Sequence, residues 1–503
     1  MRKKTSVLAS MLLISQIVLA GTYSGGTGAP DDPYQIGTAE DLNDISNHIE
    51  DFNKCFVLTA DIDLSTRTYS TAVIAPDINE ANWAFDGTAF TGVFDGNDHR
   101  IIGLTIDTSG GNADFLGLFG DIGPGAEVKN LGLENVTVAA GDDSWYVGGL
   151  VGWKGGIISN CYSTGTVTGG RYLGGLAGDN DGSISNCYST GVVAGYVAVG
   201  GLVGRNYGII SISDCYSTGV VAGYVDVGGL VGLNYGTISD CHSTGSITGG
   251  EHSGSLGGLV GDNYGSISTC YSTGSVTGGY QSDRLGGLVG DNYGSISTCY
   301  STGSVTGGES SDSLGGLVGD NYKGTVSNCY SIAAVTGGDD SWRVGGLVGI
   351  NDNGKITNCY STGAVTGGDD SSCLGGLVGY NRGLRGTISN CYSTGSVTGG
   401  DNSDWLGGLV GMGHGRVFDS FWDIQTSGQS TSDGGEGKTT AEMQRESTFT
   451  DAGWDFIEIW DIGENQTYPF LRQYPAGDIN HDDKVNFLDV AIIASHWLED
   501  NAP

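Results

Sequence analysis

The chain is short of proline, of basic residues and of charge in general. It holds 7 Pro, and 21 Lys plus Arg against 57 Asp plus Glu, with only 16% of its 503 residues charged. Glycine is abundant at 92 residues. So little proline, with no every-third-residue glycine period, nevertheless excludes collagen. The low charge fraction beside 38% hydrophobic residues excludes a highly charged disordered polymer. The shortage of cations leaves a formal net charge of −36. That charge repels phosphate backbones and anionic lipid, so neither nucleic acid nor an acidic membrane surface is an expected partner.

Long apolar runs are also missing, with one exception at the start. Arg2, Lys3 and Lys4 precede an apolar stretch from about Val7 to Ala20 that ends Val18-Leu19-Ala20. This is the layout of a cleavable secretory signal over residues 1–20, and the run is shorter than a membrane span requires. No other segment is long and apolar enough to cross a bilayer as a helix. The expected location is therefore secreted or cell-surface.

What is present is repetition. Gly-Gly-Leu-Val-Gly, with Ala for Val once, begins at Gly148, Gly174, Gly200, Gly228, Gly257, Gly286, Gly315, Gly345, Gly375 and Gly407, at spacings of 26 to 32 residues. Between these units runs a second block, such as Ser266-Ile267-Ser268-Thr269-Cys270-Tyr271-Ser272-Thr273-Gly274-Ser275-Val276-Thr277. Repeats of this size mark a stacked architecture. No 3.6-residue apolar stripe runs through them, which excludes helical solenoids, and they are too short for four-stranded propeller blades. The remaining choice is an all-β parallel β-solenoid of about ten regular coils, two or three short strands to each, plus irregular capping coils. Like residues then stack in columns at about 4.8 Å, giving a rod of roughly 45 Å over ten coils.

The columns are legible. Nine cysteines share one repeat position: Cys161, Cys187, Cys215, Cys241, Cys270, Cys299, Cys329, Cys359 and Cys391. Tyr follows in eight cases and His242 in the other. Alternation of faces puts Cys with the interior Val and Tyr outside. In-register cysteines are spaced wider than a bridge prefers, so they read as buried free thiols in preference to serial disulfides. Cys55 and Cys373 fall outside the column. An Asn column at Asn180, Asn206, Asn234, Asn263, Asn292, Asn321, Asn351 and Asn381 suits turns and coil-to-coil amide bonds. Asp262, Asp291 and Asp320 stack in Gly-Asp-Asn turns and are expected to be solvent-exposed, where neighbouring carboxylates repel by only about 0.8 kcal/mol. No Lys or Arg is consistently beside them.

The Gly-Gly-Leu-Val-Gly units followed by Asn-Tyr-Gly-Ser-Ile-Ser resemble the GLUG-motif repeats of exported bacterial proteins. Pro33-Tyr34-Gln35-Ile36, Ala60-Asp61-Ile62-Asp63-Leu64 and Phe90-Thr91-Gly92-Val93-Phe94-Asp95-Gly96 upstream, and Phe421-Trp422-Asp423 and Tyr468-Pro469-Phe470-Leu471 downstream, match the flanks of such proteins. The resemblance implies a large surface or secreted solenoid, often adhesin-like. Relatives include immunoglobulin-A-cleaving metallopeptidases, but their His-Glu-x-x-His zinc helix is absent here, so that activity does not carry over.

The expected organisation is a signal (1–20), an N-terminal cap with degenerate β coils (21–147), regular repeats (148–411), a C-terminal cap (412–475) and a calcium loop with helix (476–503). Within the cap, Ala441 to Glu446 reads as a short helix, and the aromatic stretch from Phe418 to Leu471 is expected to cover the solenoid end. In the last segment, Asp478, Asn480, Asp482, Asn486 and Asp489 place oxygens at loop positions 1, 3, 5, 9 and 12, with the Lys484 carbonyl at position 7. This is similar to one half of a type I dockerin and implies calcium as cofactor and a cohesin-like partner. Asp483 stands where Gly usually makes the turn, and a full dockerin has two such loops.

No constellation of nucleophile and base stands out, because the repeats supply like groups in lines whereas an active site needs unlike groups converging. The variable loops before each Gly-Gly-Leu-Val-Gly unit carry Asp142 and Trp145, Asp339 and Trp342, Asp369, and Asp401 and Trp405. They are expected to form an acidic, Trp-dotted ridge contacting a polysaccharide or cell-surface ligand with avidity. A non-catalytic scaffold is the preferred reading. A β-helix polysaccharide lyase or glycosidase with a dockerin-like tail is the alternative, to be recognised by a single groove with clustered carboxylates and a Lys or Arg.

Overall fold

A computed structural model describes residues 21–79, 82–208 and 211–472. The signal and the calcium loop, with Asp478, Asn480, Asp482, Lys484, Asn486 and Asp489, lie outside the described residues.

The described chain winds as a parallel β-solenoid. One ladder has 14 strands from Tyr34–Ile36 to Arg416–Phe418, and another has 11 from Phe119–Ile122 to Val410–Gly413. Each coil has more pieces than the two or three expected. Coil 260–286 contains Val260–Asn263, Ser266–Ser268, Tyr271–Ser272, Val276–Thr277 and Asp283–Gly286. Each pairs in register with the same residue type one coil on: Val260 with Val289, Ser266 with Ser295, Tyr271 with Tyr300, Val276 with Val305, Asp283 with Asp312.

The extra breaks have a local cause. The residue before each column cysteine is left-handed, including Asn160 (φ 53°), Asp214 (54°) and Thr298 (54°). Asn and Asp tolerate that conformation, whereas Thr is strained in it. The chain turns a corner there, so Cys sits at a corner instead of inside a strand. The final glycine of each Gly-Gly-Leu-Val-Gly unit lies on the preceding coil's backbone. A Cβ on Gly290 would stand 2.6 Å from the Ser255 carbonyl carbon, so no larger residue fits.

The core is a set of apolar columns. Phe56, Phe94, Val128, Ile158, Ile184 and Ile212 follow one another through successive pairings, phenylalanines filling the first coils and Ile or Val the later ones. All eleven cysteines are free, and the nine column thiols are buried. Each also does hydrogen-bond work: the Cys270 backbone N–H donates to Cys299 Sγ at 3.4 Å, and Cys270 Sγ donates to the Ser268 carbonyl at 3.0 Å. Where the column ends, Ser420 Oγ accepts from Cys391 N–H at 3.1 Å in the place of the next thiol.

The Asn column is a head-to-tail amide chain from Asn180 to Asn381, each Nδ2 donating to the next Oδ1 at 2.7–2.9 Å. Its oxygen end is closed by buried Lys154, which occupies the Asn position one coil earlier and donates to Asn180 Oδ1 at 2.7 Å and to the Gly156 carbonyl at 2.8 Å. Burial pushes this ammonium down to about 7.

Three expectations are corrected. The N-terminal region is not wholly irregular β: Ala39–Asn47 is a helix with a Thr38–Asp41 capping box, its Leu42 and Ile45 buried in the core. Ala441 to Glu446 is not one helix but two short ones, Thr440–Met443 and Glu446–Thr450, because Arg445 is extended. The C-terminal aromatics do more than cover an end. Trp422 alone takes the inward position above Ser393 and closes the core. Phe449, Trp454 and Trp460 instead turn back onto the outer Tyr face, against Tyr360 and Tyr392. Among the described residues no helix is long and apolar enough to cross a membrane.

Candidate functional site

Outside the core, the repeat writes three surfaces. The first is the Tyr column. Tyr162, Tyr188, Tyr216, His242, Tyr271, Tyr300, Tyr330, Tyr360 and Tyr392 stack with centroids 4.8–5.1 Å apart and planes within 8°. The strand spacing imposes this face-to-face geometry, which free aromatics avoid. The C-terminal aromatics occupy its far end, leaving Tyr162 to Tyr216 clear. A second, partly exposed Tyr series follows the Asn column, with Tyr207, Tyr235 and Tyr264 about half exposed. Tyr264 and Tyr293 stack at 4.5 Å.

The second surface is the ridge. Asp339, Asp369 and Asp401 are exposed and stacked: Asp369 N–H donates to Asp339 Oδ1 at 3.0 Å, and Asp401 N–H to Asp369 Oδ1 at 2.8 Å. Each turn is held by a left-handed second residue, Asp340, Asp370 or Asn402. Ser371 Oγ and Ser403 Oγ anchor their turns on carbonyls of the preceding coil, Gly338 and Gly368. Trp342 is 44% exposed under the Arg343 guanidinium, with its indole N–H on Cys373 Sγ at 3.1 Å; Trp405 is 52% exposed. Asp142 and Trp145 do not join them. They belong to a coil seven turns earlier, roughly 30 Å away at the strand spacing.

The third surface is a seam beside the Asn column, where the structure overturns the exposed reading of the aspartates. Asp262 and Asp291 are buried, at 8% and 1% exposure, and Asp320 is half-buried. The adjacent left-handed residues, Asp226, Ser255 and Arg284, lie close against them because the neighbouring glycines have no side chain to hold the two faces apart. One basic residue reaches the line without recurring along it: Arg284 Nη1 lies 3.0 Å from Asp291 Oδ2, to which Tyr293 Oη also donates at 3.0 Å. Burial raises Asp226 to about 6 and Asp320 to about 8. Among the described residues no group of three or more His, Cys, Asp or Glu is placed to hold a metal ion.

The groove that sequence reasoning missed arises where the ridge is interrupted. The units beginning at Gly174, Gly200 and Gly228 lack the two-residue turn seen at Asp142-Asp143 and again at Tyr280-Gln281, and the first two follow 26-residue spacings. The result is a valley of about 740 Å³ floored by Gly169, Gly195, Gly223 and Gly249. Tyr196 and Tyr224 lie in it nearly half exposed, their rings 5.3 Å apart. It runs on into a second recess of about 450 Å³ between Trp83 and Trp145, whose rings are 6.1 Å apart. Trp83 comes from an excursion between Ile74 and Phe90, which both bridge to Phe119–Ile122. Arg171 stands between the two recesses, its guanidinium 5.6 Å from the Trp145 ring and 5.4 Å from the Tyr196 ring. Asp114, buried and raised above its usual range by that burial, accepts from Trp145 N–H at 2.7 Å. The 26-residue spacings were the available signal for the valley; nothing local announced Trp83.

Comparison with known proteins matches this repeat. The family model "The GLUG motif" fits residues 143–168, 169–194, 195–222, 223–248, 252–277, 282–306, 340–366 and 370–398. The chain carries eight GLUG motifs. Over 152 residues, 30% of the chain, it is 40% identical to halomucin of Haloquadratum walsbyi. Over 145 residues, 28% of the chain, it is 34% identical to a candidate Gly-rich membrane protein of Evansella cellulosilytica. These matches span 2% and 15% of the two relatives' own lengths. A crystal structure of a candidate immunoglobulin A1 protease from Bacteroides ovatus covers 90% of this chain and 95% of its own at 19% identity, with a TM-score of 0.22. At that score the likeness carries no argument, and the GLUG coils are assigned from their own pairing.

Proposed function

We propose that the chain is an exported, non-catalytic surface scaffold that uses its rigid GLUG coils to contact glycans or cell-surface ligands. The observation that carries this reading is repetition on the exposed faces: the Tyr ladder and the Asp339–Asp369–Asp401 ridge present like groups at one spacing. Weak contacts made many times in a fixed geometry add as avidity. The names of the two relatives, a halomucin and a Gly-rich membrane protein, agree with a surface role. The basic-then-apolar start at residues 1–20 is read as the export signal. The tail loop is read as a calcium site held by Asp478, Asn480, Asp482, Asn486, Asp489 and the Lys484 carbonyl, offering a cohesin-like partner a place to dock.

One observation favours the rival, a polysaccharide-degrading enzyme. The groove gathers Asp114, Asp142 and Asp143 around Arg171, which is the pattern expected of it. A glycan array and a polysaccharide-degradation screen on one preparation separate the two. Glycan retention without sugar release is expected, and release of reducing sugar overturns the scaffold. Calcium titration calorimetry of Asp478→Ala/Asp482→Ala, expected to lose the tail's binding, tests the loop separately.

A further inference from the structure

We propose that the valley between the Trp83–Trp145 recess and Tyr224 is a dedicated binding cleft for an uncharged, linear polysaccharide. The proposal takes its ligand class from the glycan-contact reading, but it places the contact on a different surface from the ridge and the Tyr ladder.

The floor is the first reason. Gly169, Gly195, Gly223 and Gly249 come from four successive coils, so the valley runs along the rod axis for about 15 Å at the strand spacing. That length takes a short run of sugar rings. The walls are the second reason. Trp83, Trp145, Tyr196 and Tyr224 offer aromatic faces along the trough, and flat rings of this kind take the apolar C–H faces of pyranoses while leaving the hydroxyls free. Trp83 is 77% exposed, and its ring meets Trp145 at 6.1 Å, leaving most of an indole open to a ligand.

Polar groups then set the ligand's charge. Asp142 and Asp143 stand exposed at one rim and Asp114 lines the recess, against the single cation Arg171. Arg171 is also partly engaged, 3.9 Å from Asp143 and stacked between Trp145 and Tyr196. Three carboxylates to one guanidinium disfavour uronate or sulfated chains, as does the net charge of −36. The same groups are good partners for hydroxyls: carboxylates accept, and the fixed guanidinium donates. A pocket that is mostly apolar with a few convergent polar groups is the usual form of a small-ligand site.

The test is calorimetry and affinity electrophoresis of the full chain against soluble neutral polysaccharides (mixed-linkage β-glucan, xyloglucan, galactomannan) and against polygalacturonate. Binding to at least one neutral polymer is expected. Affinity should fall at least tenfold in Trp145→Ala and in Tyr196→Ala/Tyr224→Ala, and by much less than that in the ridge variant Trp342→Ala/Trp405→Ala. Ala194→Trp, which fills the trough from a half-exposed floor position while leaving every aromatic wall in place, should abolish binding with the unfolding transition retained. Binding to none of the neutral polymers, or to polygalacturonate alone, overturns the proposal. Loss in the ridge variant with the cleft variants intact also overturns it, yet leaves the scaffold reading standing. Loss in the cleft variants alone upholds the cleft and removes the ridge from the scaffold's contact surface.

Discussion

At the residue scale, Lys154 and the seam aspartates show how ionisable groups are built into the repeat. Lys154 replaces an Asn and closes the oxygen end of the amide chain. Without it Asn180 Oδ1 and the Gly156 carbonyl lose a buried donor, at a cost of about 1–3 kcal/mol. Lys154→Met should therefore lower the urea-unfolding midpoint. Lys154→Asn, which puts an amide donor back in the column, should lie close to wild type. Equal losses in both variants would show that the column does not need a donor there. The seam aspartates act through pH. Burial lifts Asp226 to about 6 and Asp320 to about 8, above the unfolded carboxylate value near 4. The folded state thus holds protons that the unfolded chain has released. Their contribution is full below about pH 4 and is lost as pH rises toward 8. Stability should fall between pH 5 and pH 8, and Asp320→Asn should raise the melting temperature at pH 8 while changing it little at pH 5. A melting temperature that climbs over this range would reject the assignment.

At the scale of the element, the columns explain why one residue type is kept coil after coil. A corner cysteine fills apolar space and also accepts the backbone N–H of the cysteine one coil earlier, a task Ser420 takes over at the end. Cys299→Ser should then be tolerated, while Cys299→Ala orphans the Cys270 N–H and costs about 1–3 kcal/mol. The nine column thiols should resist thiol reagents until the chain unfolds, and reductant should leave the unfolding midpoint in place. A midpoint that dropped with reductant would mean cross-links along the column. These roles were half legible in advance. Cys-Tyr alternation showed which side chain faced inward, because side chains alternate across an extended strand. That the cysteine occupies a corner was not legible, because the left-handed residue before it is Asn, Asp or Thr, and Thr carries no signal for that conformation.

For the whole molecule, a stacked coil touches only its neighbours, so damage should stay local. The C-terminal module is the exception to simple stacking, since it leans on the Tyr face through Trp454 and Trp460. Removing the fully buried Trp460 indole costs about 3–5 kcal/mol of that contact. In Trp460→Ala, hydrogen exchange should quicken over residues 440–472 and around Tyr360 and Tyr392. Exchange at Tyr162 to Tyr216 should stay as in the parent. Uniform acceleration along the rod would mean the coils unfold as one cooperative unit.

The amino-acid order alone determined the rod, its columns and the inward sense of Cys and outward sense of Tyr. A near-constant repeat of glycine-punctuated strands can satisfy its backbone only by pairing each residue with its own copy, and that register follows from spacing. Three things were decided by the tertiary structure. Asp262 and Asp291 were buried, and Asp320 half-buried, by a neighbouring column that only coil geometry brings beside them. Trp83 met Trp145 because an early excursion folds over a coil more than fifty residues later in the chain. The valley exists because three successive units, those beginning at Gly174, Gly200 and Gly228, lack the turn, and a missing turn becomes a cleft only when longer neighbours stand on either side.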